Sequence, residues 1–111
     1  MEDADRRILQ KIVSEIEYME AILVDTSREE FLGNETLERA CAMTSINIGE
    51  LAKHLSDSFN EEYPDNELRL AARTRDVYAH GYFTLSFETV YKTAKEDYPR
   101  VKEWALDLLD T

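Results

Sequence analysis

Residues 66–83 read NELRLAARTRDVYAHGYF. Just upstream, Tyr63-Pro64 does not fit inside a helix, because proline lacks a backbone N–H and restricts the residue before it. A helix therefore begins near Asn66 and runs to His80. Gly81 is placed to stop it, since glycine takes the left-handed conformation at little cost. The stretch is thus a helix ending on Arg75, Asp76, His80 and, past the stop, Tyr82.

Working outward, the rest of the chain is helical too. From residue 3 to about residue 24, Ile8, Leu9, Ile12, Val13, Ile16, Met19, Ala21, Ile22 and Leu23 recur at helical spacing with charges between them. Asp25-Thr26-Ser27 is a break. Ser27 then caps a short helical turn with Glu30 at its third position, and Gly33 ends it. Asn34 starts a second long helix, whose stripe of Leu37, Ala40, Cys41, Thr44, Ile48, Leu51 and Ala52 continues to Leu55 and Phe59. Met43 and Ile46 widen that stripe, so residues 40–52 are apolar on most sides, which predicts burial on more than one face and a contact with a second copy. Ser86 caps a fourth helix reaching Asp97, with Val90, Tyr91 and Ala94 inward. Pro99 opens a last one carrying Val101, Trp104, Ala105, Leu108 and Leu109. No strand, repeat or low-complexity segment is evident. The expectation is one all-α domain over residues 1–111, an up-down bundle of four or five helices.

Composition narrows the function. The net charge of −11 gives a surface that repels nucleic-acid backbones and suits a basic partner, so work on RNA needs a local basic patch. The same charge also serves simple solubility. A single cysteine, Cys41, excludes an intrachain disulfide and reads as a small core residue. The charged start MEDADRR carries no signal peptide, and the longest aliphatic run, AILV, is far short of a membrane span. A cytoplasmic protein without membrane attachment is expected. No cofactor is expected, because no glycine loop cradles a phosphate. No metal is expected either, because His54, His80 and Cys41 lack ligand spacing.

The chemistry concentrates on residues 75–82. Asp76 and His80, four apart, share a helix face, so the carboxylate is expected to hold one ring nitrogen of His80 and leave the other as a base or acid. Arg75 lies about 140° around the helix from His80, so one protomer points them apart. Two copies about a two-fold axis can bring two Arg75 and two His80 side chains into one cleft. Such a cleft suits metal-free RNA cleavage. His80 takes the 2′-hydroxyl proton or protonates the leaving oxygen, and Arg75 grips the phosphate. Arg69 and Arg73 on the same helix can complete a basic patch for RNA. The bland alternative is also open: His80 is a helix-end partner of the dipole, Arg75 a surface ion-pair member, and Tyr82 and Phe83 core aromatics. His54 reads as structural. A shuffled chain of this composition shows the R-x-x-x-x-H-x-Y spacing only about once in a hundred cases.

At these residues the chain resembles the HepT family of the HEPN superfamily. ARTRDVYAHGYF matches the family signature R-x-x-x-x-H-x-Y through Arg75, Asp76, His80 and Tyr82, and INIGELAKHLS and LSFETVYKTAKEDYPRVKEW resemble its second helix and its helical tail. Aspartate replaces the commoner asparagine after the arginine, and Leu51 stands where alanine is usual. The resemblance implies an antiparallel four-helix HEPN-like bundle that homodimerises, with Arg75 and His80 lining the interface cleft. It implies a metal-independent endoribonuclease acting as the toxin of a type VII toxin–antitoxin pair. Its partner would be an MntA-like nucleotidyltransferase antitoxin, which silences the toxin by transferring AMP to Tyr82. Added phosphate near Arg75 would occupy the cation. A second reading remains beside this: a non-catalytic helical partner or nucleotide-binding subunit of a nucleotidyltransferase, in which Arg75 and His80 grip a nucleotide or buttress an interface. A third is a purely structural homodimer.

Overall fold

Helix α1, Asp3–Ile22, buries Leu9, Ile12, Val13, Ile16 and Met19 along the stripe the sequence predicts. It belongs to a computed structural model that describes residues 1–110. Past α1 the chain turns at Asp25, whose φ of 55° is the left-handed region that aspartate tolerates better than most residues. Helix α2, Arg28–Leu32, carries the expected capping box: Ser27 Oγ accepts from Glu30 N–H at 3.1 Å, and Glu30 Oε1 accepts from Ser27 N–H at 3.2 Å. Helix α3, Glu35–Lys53, is capped by Asn34 Oδ1 on the Leu37 amide.

The second long helix is shorter than its apolar stripe suggests. It stops at Lys53, and Phe59 belongs to a separate helix α4, Asp57–Glu62. The cause is Ser56, whose hydroxyl caps Phe59 N–H and bonds the buried Asp5 carboxylate. Asp5 also accepts the Ser56 amide at 2.9 Å. That carboxylate at the start of α1 fixes the bend after α3. The multi-sided apolar character of α3 is largely used inside the protomer, because α1 covers one side and α5 another. Met43 alone of its large apolar side chains stays well exposed.

Helix α5 spans Leu68–His80. Gly81 is not left-handed: its φ is −129°. The chain instead tightens into a 3₁₀ turn, Tyr82–Thr84, with Thr84 N–H and Thr84 Oγ1 both donating to the Gly81 carbonyl. A Cβ at residue 81 would lie 3.1 Å from Thr84 Oγ1 and from the Val77 carbonyl oxygen, so glycine serves close approach.

The fourth and last predicted helices are continuous. Helix α6, Phe87–Lys92, passes through one turn of π-helix at Thr93–Asp97 into α7, Tyr98–Leu109. The wider turn places Pro99 at the first turn of α7, where its missing N–H is tolerated.

Cross-links set the directions. Asn47 to Glu15 and Ser56 to Asp5 run α3 antiparallel to α1, and Arg39 over Tyr82 with Lys53 to Asp76 run α5 antiparallel to α3. Arg100 to Glu67 and Lys102 to Glu20 place α7 antiparallel to α5 and α1. The protein is therefore an all-α, antiparallel four-helix bundle with α2 and α4 as short connectors, and no strand occurs among the described residues. Among them, no helix is long and apolar enough to cross a membrane.

Candidate active site

Gly49 positions Arg75. A Cβ at residue 49 would sit 2.3 Å from Arg75 Cβ and 2.5 Å from the Ala71 carbonyl oxygen, so α3 and α5 cross here with no room for a side chain. The crossing lays the Arg75 stem against α3, and the guanidinium meets two carboxylates. Nε lies 3.1 Å from Glu50 Oε2, an ion pair not aligned as a hydrogen bond. Nη1 donates to Asp76 Oδ1 at 3.0 Å. Nη2 makes no hydrogen bond among the described residues, and the side chain is 27% exposed.

The network continues on both sides. Lys53 Nζ donates to Asp76 Oδ1 at 2.7 Å. That bond, with help from Arg75, holds the Asp76 carboxyl below the usual carboxylate range. The other Glu50 oxygen is 3.4 Å from His54 Nε2. His54, Glu50, Arg75, Asp76 and Lys53 thus form one chain of charged and polar contacts across α3 and α5.

Asp76 does not orient His80. Its carboxylate is taken by Lys53 and Arg75, and no hydrogen bond among the described residues reaches His80. His80 is exposed at the C-terminal end of α5, on the side away from the α3 crossing. Its helical neighbours by spacing are Arg73, Asp76 and Val77; Val77 is 63% exposed, as is Leu70 two turns before it on the same stripe. Arg75 and His80 therefore diverge within one protomer, as their spacing predicts.

Arg69 and Arg73 line a shallow groove with Lys53 and Asn60. Arg69 Nη1 donates to the Pro64 carbonyl, and Arg73 is exposed. Tyr82 is half-buried and not a core aromatic. Its ring packs edge-on against Phe83 and Phe87, and the guanidinium carbon of Arg39 lies 5.8 Å from its centroid. Phe83 is 97% exposed. Cys41 is fully buried, and burial pushes its thiol up to about 11, which suits the core reading and not a nucleophile. Among the described residues no three His, Cys, Asp or Glu side chains gather to hold a metal ion.

Sequence reasoning about residues 75–82 missed Glu50 and Lys53, and it set His54 aside. The available signal was Gly49, a glycine inside a helix, which marks a close approach by another backbone.

Comparison with known proteins shows the family of the chain. The family model described as ribonuclease HepT-like matches residues 12–107, which include Glu50, Arg75, His80 and Tyr82. A Thermococcus cleftensis protein named "Probable ribonuclease HepT" is 30% identical over 102 residues, covering 92% of this chain and 93% of its own. A Methanocaldococcus jannaschii protein named "Putative RNase MJ1216" is 33% identical over 91 residues, covering 79% and 75%. No solved structure gives a significant match. By the match over residues 12–107 and the likeness to these relatives, with an all-α bundle of the expected kind, the chain belongs to the HepT-like family of the HEPN superfamily.

Proposed function

We propose that the protein is a metal-independent endoribonuclease whose site is completed by a second copy of the chain. The observation that carries this reading is Arg75: a guanidinium seated by Gly49, braced by Glu50 and Asp76, with Nη2 uncommitted. An arginine held in this way is preorganised for a phosphate oxygen and for the charge that grows on it during transfer. His80 supplies the proton chemistry. One imidazole takes the 2′-hydroxyl proton as that oxygen attacks phosphorus. A second, protonated imidazole gives its proton to the departing 5′-oxygen, leaving a 2′,3′-cyclic phosphate and a 5′-hydroxyl.

The exposed face of α5 supports pairing of two copies. Leu70 and Val77 lie on one stripe and stay open, with Arg73, Thr74 and His80 around them. Burying that stripe against a second copy would bring both His80 side chains, with Arg73, to the interface. Arg69 lies nearby on α5 and would add to the charge that meets RNA.

In this reading the protein is the toxin of a type VII pair, silenced by a nucleotidyltransferase antitoxin of the MntA kind. Tyr82 Oη would attack the α-phosphate of a nucleoside triphosphate, accept AMP and release pyrophosphate. The cation over the Tyr82 ring is Arg39, so the added phosphate would find a partner there, beside the end of α5. The test is the intact mass of protein made with and without the nucleotidyltransferase, with RNA cleavage measured on both samples. Added mass on Tyr82 together with lost cleavage supports the pair. Cleavage undiminished after modification refutes silencing, and the absence of mass and cleavage in both samples refutes the enzyme.

A further inference from the structure

A groove lies away from His80. It runs between α1 and α3, has a volume of about 710 Å³, and is lined by Arg7, Lys11, Glu15, Asn47, Glu50 and His54 among others. Its charges are unevenly committed. Both carboxylates are engaged: Glu15 accepts from Asn47 Nδ2 at 2.9 Å, and Glu50 faces Arg75 and His54. Arg7 and Lys11 are exposed and have no partner among the described residues. In a chain of 13 basic and 24 acidic residues, two cations left without a carboxylate on one groove are a departure from the surrounding surface. They stand one helical turn apart on α1, about 6 Å along the axis, which is of the order of the spacing between neighbouring phosphates of an extended strand. Glu50 belongs to this groove and also touches Arg75, so the groove opens beside the candidate active site.

We propose that the α1–α3 groove is the binding track for the RNA strand flanking the cleaved phosphate, with Arg7 and Lys11 each meeting one backbone phosphate and His54 closing the end nearest Arg75. The inference rests on the ribonuclease reading, and it gives the acidic protein two cations free for phosphates, beside the Glu15 and Glu50 carboxylates, at a place other than Arg69 and Arg73. Because the contacts go to phosphates, the track confers affinity and register and little sequence preference.

The test is fluorescence anisotropy of a labelled 12-nucleotide single-stranded RNA over a series of salt concentrations. The protein carries His80→Ala so that the strand stays intact. Arg7→Gln with Lys11→Gln is added to this background. Lys92→Gln serves as the control, since it removes an exposed cation near Arg28 at the opposite end of the bundle. The double change is expected to weaken binding about tenfold at low salt and to lower the slope of log affinity against log salt by about 1.4, the loss of two single-strand phosphate contacts. Lys92→Gln is expected to leave both unchanged. Equal affinity and slope for the double variant, with binding lost on Arg75→Ala, would overturn the track and leave the ribonuclease reading standing. Equal losses from Lys92→Gln and the double change would also overturn the track, because only net charge would then matter. If the His80→Ala protein, folded by circular dichroism, binds no strand at any salt, both readings fall.

Discussion

Gly49 and Arg75 are in backbone-level contact: a methyl group at residue 49 would come within 2.3 Å of the Arg75 Cβ. Neither Cβ nor the Ala71 carbonyl can move without moving α5. Gly49→Ala is therefore expected to push α5 off α3 and to destabilise the fold by about 1–3 kcal/mol, the usual cost of forcing volume into a packed contact. Urea unfolding measures it. RNA cleavage is expected to fall along with it at temperatures where the variant is still folded. An unchanged midpoint would mean that the crossing is looser than described.

Asp76 sits between Arg75 and Lys53 and neutralises part of both. Asp76→Asn removes one negative charge beside the proposed phosphate position. RNA affinity is expected to tighten by up to about fivefold, the modest effect of one exposed charge. Because the Asp76 carboxyl is held below its ordinary range, it stays ionised through neutral pH, and its contribution to stability is lost only as pH falls through that lowered value. Filter binding on the two proteins at pH 7 checks the affinity, and a loss of binding would show that Asp76 positions Arg75 more than it opposes RNA.

Asp5 is a buried carboxylate that holds the Ser56 amide and hydroxyl. Asp5→Ala leaves those donors without their acceptor. A loss of about 1–3 kcal/mol in unfolding free energy is expected, from the cost of stranding buried polar groups. A variant as stable as the parent would mean that water replaces the carboxylate.

Tyr98 is buried, and burial pushes its phenol from 10.0 up to about 12. The folded state thus favours the neutral ring, and the stability this supplies is complete below pH 10 and lost as pH rises towards 12. Cys41 adds the same sign of effect between pH 9 and about 11. Tyr98→Phe is expected to flatten the fall in unfolding midpoint between pH 10 and 11.5. Parallel curves for parent and variant would contradict it.

Much of the fold was legible because its signals are local. The stripe of Ile8 to Leu23 is read by counting, and Ser27, Asn34 and Ser86 cap their helices as their types and positions require. What was not legible depends on contacts distant in sequence. The stop of α3 at Lys53 is set by Asp5, about fifty residues earlier, reaching Ser56. The passage through Pro99 depends on a π-turn that no residue pattern announces. Glycine permits a left-handed stop at residue 81, whereas here Gly81 serves close packing of Thr84 against the helix end. The site divides in the same way. Arg75, His80 and Tyr82 are visible as a spaced motif. Their surroundings are not: Lys53 takes Asp76 away from His80, and Glu50 braces Arg75 from another helix.

The central claim is that Arg75 and His80 cut RNA in a site shared by two copies. The most direct measurement is the rate of RNA cleavage by the parent protein, by Arg75→Ala, by His80→Ala, and by the two variants after mixing and co-refolding. All are first shown folded by circular dichroism. The account predicts cleavage by the parent and a loss of about a hundredfold or more in each variant, the scale of general acid–base and charge-stabilising groups. It also predicts that the mixture stays slow, because a mixed pair keeps one Arg75 but only one of the two His80 imidazoles that the reaction uses; recovery towards the parent rate would show that a single imidazole suffices. Cleavage by folded His80→Ala at the parent rate, or no cleavage by the parent itself, would contradict it.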